Sequence, residues 1–421
     1  MGYLYFINIL IGILSLFIVK RKYFIINNIF FSTHIIFFFL LVVVGSFYVY
    51  YPEFSPYENA DFFSTKYFLV LTSYQLILLF FCLILAKKKI SSENSLINSG
   101  KIRLKKIYYF FPLILSVSIV SKYLVSNGLP IFYKIINSGL SNNEIIIQRT
   151  LFFKEQQSFF INEIGFFICP TIMTIYSFTR NFLLPTKWNL FYFILNLLIA
   201  SVLSLSFFHK TPLLLLVFSI LCCYFILNKP KVSLKKGLFY SLLIFSIILI
   251  QYYFVLHNQV IISIGDVLNG VANRIFGVYP LGLAVAISLP SETGFYLGDT
   301  IPNILGLNPN GVNMSQVIHF KIFGVEGDAP SPAIGYAYAN WGFLGVIFDV
   351  IFTSLFLILS NQLLLKIKNS FIKVLIICIA IPQIMFVSMS SVFDSIINPR
   401  DILIISIIVI IMMLKFRTNY E

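Results

Sequence analysis

Apolar stretches about 20 residues long recur along the whole chain, and a helix of that length crosses the hydrocarbon core of a bilayer. They fall at roughly 3–19, 29–50, 66–86, 107–125, 159–179, 189–207, 211–228, 237–256, 336–360, 371–390 and 402–414. About eleven such runs, at about 20 residues each, take up roughly half of the 421 residues. Hydrophobic residues make up 59% of the chain and charged residues 11%, too little charge to cover that apolar surface in water. The expected fold is therefore all-α: a polytopic transmembrane helix bundle of about 11 spans (10–12), a single integral membrane domain over residues 1–421. The first run lacks a basic n-region and a small-residue cleavage site, so it reads as a retained span. Cys82, Cys169, Cys222, Cys223 and Cys378 all fall inside apolar runs without metal-site spacing, and read as packing residues.

A net charge of +14 raises the question of nucleic acid, and the placement of the charges answers it. With Lys20, Arg21 and Lys22 on the cytoplasmic side and the sides alternating at each run, the cytoplasmic loops hold 21 of the 30 Lys and Arg residues. Their acidic residues are Glu93 and Glu421, whereas the opposite side holds 9 basic and 13 acidic residues. This is the positive-inside bias of a membrane protein, and no nucleic-acid partner is expected. The odd number of spans puts the N terminus outside and the C terminus in the cytoplasm.

No Gly-rich phosphate loop ending in Lys-Ser or Lys-Thr occurs, and the longest cytoplasmic connection, Lys87 to Lys106, is too short for a domain. Chemistry is therefore expected on the external face, in two large loops at 126–158 and 257–334. Within the second, Ile275 to Leu289 is apolar enough to touch lipid or the bundle; it reads equally as an interfacial or re-entrant helix without a chemical role. Pro and Gly residues break the remainder of that loop into turns.

The second loop ends in Asp328-Ala-Pro-Ser-Pro-Ala-Ile-Gly335-Tyr-Ala-Tyr338-Ala-Asn340-Trp341-Gly342-Phe-Leu-Gly345-Val. This stretch resembles the O-antigen polymerase (Wzy-type) family, the oligosaccharide repeat-unit polymerases of bacterial envelopes. The similarity of motif covers about twenty residues, and that of layout, many spans with two large periplasmic loops, covers the whole chain. Tyr336 stands where many members carry an acidic residue. Independently of the family, Gly335, Gly342 and Gly345 suit close approach of a neighbouring helix, and Tyr338 and Trp341 suit the membrane interface.

The resemblance implies a membrane glycosyltransferase in the bacterial inner membrane, acting without a cofactor on an undecaprenyl-diphosphate-linked glycan. It also implies a flippase and a chain-length regulator as partners, besides membrane lipid. Such a reaction needs cations for the departing diphosphate and an acceptor for the hydroxyl proton; Arg suits the first task because its planar fork stays charged. Arg149 and Arg274, one from each large loop, are the catalytic candidates, with solvated or headgroup-bound arginines as the alternative. Glu326 and Asp328 are the candidate proton acceptors, or else a solvated acidic turn. Substrate-binding candidates are Lys210 and His209 in a short external turn, His319, and Arg400, which also reads as an anchor paired with Asp401. No zinc pattern is present and no metal is expected. Glu163 and Asp349 lie within spans, where ionisable residues are costly; Asp349 reads as a packing or a pathway residue. A ligase that moves finished glycan onto lipid A core shares this layout; the other rival, a non-enzymatic flippase for lipid-linked sugars, usually carries charges deep in its spans and short external loops, whereas this chain concentrates its charges in loops.

Overall fold

Backbone N–H and C=O groups in lipid must find partners within their own segment, which favours helices for isolated apolar runs. The computed structural model describes residues 2–20, 27–50, 65–87, 104–130, 159–206, 210–228, 277–300, 311–324 and 331–387, with single positions 24, 102, 265 and 329; among them there is no strand. Six helices are long and apolar enough to cross a membrane: Gly2–Val19, Thr65–Ala86, Ile107–Asn127, Ile161–Leu183, Lys187–Leu205 and Ala333–Lys366. Shorter apolar helices cover Ile29–Val44, Leu215–Leu227 and Ser370–Pro382. By length and composition this is a multi-pass helical membrane protein. The expected spans at 237–256 and 402–414 lie outside the described residues.

We number the helices α1 Gly2–Val19, α2 Ile29–Phe38, α3 Thr65–Lys87, α4 Ile107–Asn127, α5 Cys169–Leu183 and α6 Lys187–Leu205. They continue as α7 Lys210–Asn228, α8 Val278–Ser288, α9 Met314–Phe323, α10 Ala333–Lys366 and α11 Ser370–Val387. The chain divides into two compact units. The first comprises Met1–Leu96, Asn269–Ile367 and Gln383–Asn398, and the second comprises the rest.

In the first unit α1 and α3 run side by side in the same direction. Asn8 donates to the Thr72 hydroxyl (3.0 Å) and accepts from the Gln75 amide (2.5 Å), while Tyr5 meets Phe68 edge to face. α2 runs the other way and passes into a π-helical segment, Phe39–Val44; two residues beyond it Ser46 shares a hydrogen bond with Tyr67 (2.7 Å). At the opposite end, the Asn361 amide of α10 donates to the Asn27 carbonyl and accepts from the Ile29 N–H (3.1 Å). With Tyr5 stacked on Tyr50 and Lys66 near the Tyr338 ring, these contacts place Gly2, Tyr50, Lys66 and residues 338–343 of α10 at one end of the unit, with Lys20 and Lys366 at the other.

α10 departs from the single span expected at 336–360. Trp341 (φ −137°, ψ 16°) and Gly342 (φ 62°, ψ −143°) break it into a short arm, 333–340, and a long arm, 343–366. At 1.5 Å per residue the long arm reaches about 36 Å, enough to span by itself. Its lipid-type face carries exposed Leu344, Phe348, Leu355, Leu359 and Leu363, whereas Val346, Val350, Thr353, Ser354, Leu357 and Asn361 are buried. The same polarity holds elsewhere: Asn8, Ser32, His34, Gln75, Thr174 and Asn196 are buried while large apolar side chains face outward. Helices in lipid are held by small residues and hydrogen bonds, since apolar outer surface costs nothing there.

α8 takes one of the two surroundings expected of it. Val278, the stretch Pro280 to Ile287, and Leu289 are buried, so this apolar segment of the second large loop packs against protein. A helix apolar on every side belongs in a protein core or a membrane, and the burial of α8 decides for protein.

The second unit is joined by aromatic and amide contacts. Tyr109 donates to Asn196 (3.1 Å), Asn369 donates to the Tyr108 hydroxyl (2.8 Å), and Tyr108 stacks on Phe371 (5.4 Å). A π-helical segment, Ile164–Ile168, precedes α5, and its Gly165 carbonyl accepts from Ser116 (2.6 Å). The five cysteines are free, Cys222 half-buried and the others buried, as expected of packing residues.

Candidate functional site

The residues that carried the family resemblance fold into the most elaborated end of the first unit. The short arm of α10 is buried along its whole length, 333–340, because its small residues admit neighbours at close range. A Cβ on Gly335 would meet Ser331, Ala286 (3.0 Å) and Leu283 (3.2 Å), so this glycine lets α8 approach. A Cβ on Gly345 would collide with the Ala337 carbonyl, so the second glycine lets the two arms of one chain segment fold together. Gly342 supplies the turn between them, in a region of φ/ψ that is essentially reserved for glycine. The three glycines therefore serve three different contacts and do not form one stripe for a partner helix.

Asn340 secures the turn. It is buried, accepts from the Gly298 N–H (2.8 Å), and donates to Thr300 and to the Tyr336 carbonyl (2.8 Å). The carbonyls of Ala339 and Asn340, left without helical partners by the break, accept from the N–H groups of Tyr296 (3.1 Å) and Leu297 (3.2 Å). Segment 295–300 is thus the cap of the short arm. Val312 N–H donates to the Asp299 carbonyl (2.7 Å), which leads the chain into α9. Asn313 caps α9 through Ser315 N–H (3.2 Å), and Gly324 ends it in the left-handed conformation. Ala329, next in sequence to Asp328, donates to the Ser315 carbonyl (3.1 Å). Val285, Ala286, Leu289, Met314, Ile318, Ala329, Tyr336 and Ala339 form one apolar cluster that locks α8, α9 and the short arm together.

Charge is sparse at this end. The Lys66 ammonium, exposed at the start of α3, lies 5.9 Å from the centre of the Tyr338 ring, within cation–π range. Lys321 pairs with Glu292, both about two-fifths exposed, and a pair so hydrated contributes little stability. Tyr338 is 3% exposed and packs edge to face on Phe295 and Phe343, so it is a core residue and not the interface residue expected. Trp341, 39% exposed, fits the interface.

Of the sequence candidates, His319 is brought to this end, half-buried on α9. Lys210 begins α7 in the second unit. Arg149, Arg274, Glu326, Asp328, His209 and Arg400 lie outside the described residues, as does most of loop 126–158. Sequence reasoning missed Lys66 and Asn340 as site residues. An asparagine directly before Trp-Gly was the available signal for the second; nothing short of the fold brings Lys66 to Tyr338.

A second polar cluster lies within the helices. Asp349 on the long arm has an unpartnered, buried Oδ2, and Thr353, Ser354 and Ser32 have unpartnered, buried hydroxyls. Asp349 is within electrostatic reach of the Tyr74 hydroxyl, which in turn shares a hydrogen bond with His34 Nε2 (3.2 Å). Each orphaned buried polar group costs about 1–3 kcal/mol, and more when charged. Among the described residues, no group of three His, Cys, Asp or Glu side chains is positioned to hold a metal ion. No family model, curated protein or solved structure matches the chain.

Proposed function

We propose that this protein polymerises oligosaccharide repeat units carried on undecaprenyl diphosphate, as a multi-pass glycosyltransferase at the outer face of a bacterial cytoplasmic membrane. The observation that carries the reading is the stretch from Ser331 to Gly345, which resembles O-antigen polymerases and folds as a buried arm, a glycine turn and the head of a span, beside the Lys66 cation. That end has what a lipid-linked substrate needs: a rigid wall at the top of a membrane helix and a cation for a phosphate oxygen. In the reaction the anomeric carbon–oxygen bond to the diphosphate breaks as the acceptor hydroxyl bonds to the same carbon. The hydroxyl proton passes to Asp328 or Glu326. The leaving diphosphate is held by Lys66 and by Arg274, which belongs to the same unit.

Reconstituted protein given its lipid-linked repeat unit forms longer glycans without ATP; no elongation with the correct substrate defeats the proposal. A second reading, a flippase for the same lipid-linked sugars, is favoured by Asp349, a half-buried acid within a span whose Oδ2 is buried without a partner. Under that reading a deletion strain accumulates the lipid-linked unit on the cytoplasmic leaflet, whereas loss of a polymerase leaves single units on the outer one.

A further inference from the structure

The polar cluster on the long arm of α10 has no part in the chemistry above. Asp349 lies about 9 Å along the arm from Phe343. Thr353 follows one turn later, so carboxyl and hydroxyl share a face. Both have an oxygen that is buried without a partner, and Thr353 is 1% exposed. Ser354 of the same arm and Ser32 of α2, elements that pack against each other, also have unpartnered buried hydroxyl oxygens. Tyr74 faces the site from α3 and His34 from α2, and their polar atoms are already bonded to each other (3.2 Å). The described Lys–carboxylate ion pair is Lys321 with Glu292; no Lys or Arg among the described residues pairs with Asp349.

We propose that Asp349 and Thr353 are the core of an intramembrane site for a monovalent cation, a sodium ion or a proton taken from water. All the unsatisfied atoms are oxygens, the ligands that suit hard cations. One carboxylate balances one positive charge, whereas a divalent ion would leave a net charge in a low-dielectric interior. An ionised Asp349 without a counter-ion leaves a buried charge unmet. A bound sodium ion balances that charge; a proton removes it, with the Thr353 oxygen as the acceptor for the new O–H.

The test uses the purified full-length protein in detergent, with sodium chloride exchanged for choline chloride at constant ionic strength and thermal unfolding as the readout. A sodium site gives a saturable rise in Tm in the native protein, absent in Asp349→Asn and shifted to at least tenfold higher sodium in Thr353→Val. A proton site gives no sodium response, but a pH dependence of Tm that Asp349→Asn removes; any dependence left in that variant belongs to His34 or Tyr74. Identical sodium and pH responses in the native protein and Asp349→Asn overturn the proposal. If Asp349→Asn does not fold, infrared difference spectra of the native protein decide: a carboxyl band that responds neither to sodium nor to pH overturns it. None of these readouts involves a glycan, so failure here is separate from failure to elongate.

Discussion

Gly342 and Asn340 make the bend in α10 from opposite sides, one by conformation and one by hydrogen bonding. At φ 62° and ψ −143° a residue with a Cβ is strained, and here the added carbon also stands 3.2 Å from the Phe295 ring. Gly342→Ala therefore destabilises the protein by about 1–3 kcal/mol from the backbone alone, with the ring contact added. Gly128→Ala is the control: its φ is 70° but nothing lies within 4 Å, so only the backbone part remains. Thermal unfolding in detergent ranks the two, and an equal loss would remove Phe295 from the account. Asn340→Ala strips partners from Gly298 and Thr300 and costs about 1–3 kcal/mol by the same measurement. Lys66 tests function more than stability. If it contacts a diphosphate, Lys66→Ala slows elongation roughly 10- to 100-fold, the loss of one charge-assisted contact. Lys66→Arg keeps most of the rate, and loss of the cation over Tyr338 lowers stability by no more than about 0.5–1 kcal/mol in Lys66→Ala.

Helices α1 and α3 are joined where apolar sequence is interrupted, at Asn8, Thr72 and Gln75. In lipid that bridge does the work that apolar burial does in water, though such pairs measure only about 0.6 kcal/mol on average and about 1.7 at most. A double-mutant cycle of Asn8→Ala and Gln75→Ala gives a coupling in that range; additive effects would mean that the bridge holds nothing. How much of these elements was legible in the sequence follows from the kind of signal each leaves. A span announces itself by about twenty apolar residues, and α1, α3, α4 and α6 begin and end within a few residues of the runs that foretold them. The break in α10 leaves little mark in hydropathy, because Asn340, Trp341 and Gly342 are only three residues between apolar stretches. It exists because segment 295–300, some forty residues earlier, caps the short arm. α8 was legible as an apolar segment, but its burial was not, since composition alone cannot tell lipid from protein as the surrounding medium. Asp349 stood out as an acid within a span; that it lacks a partner is a fact of packing.

For the whole molecule, the strongest constraint on function is which ends of the helices share a side. Contacts within the first unit place Gly2, Tyr50, Lys66 and the glycine turn together, with Lys20 and Lys366 at the far end of the same helices. The charge asymmetry read from the sequence leads to the expectation that the first group faces outside, because lysine- and arginine-rich connections stay in the cytoplasm. The polymerase reading needs that assignment, since its lipid-linked substrate is presented on the outer leaflet. Single cysteines at Tyr3, Lys66, Glu292 and Lys321, all exposed, test it in a background from which the five native cysteines are removed. An impermeant maleimide added to intact spheroplasts labels all four, while cysteines at Lys20 and Lys366 react only after lysis. A split among the first four would break the unit as described. Uniform protection until lysis would keep the fold but turn it over, placing the glycine turn and Lys66 in the cytoplasm, where a polymerase of exported units has no substrate.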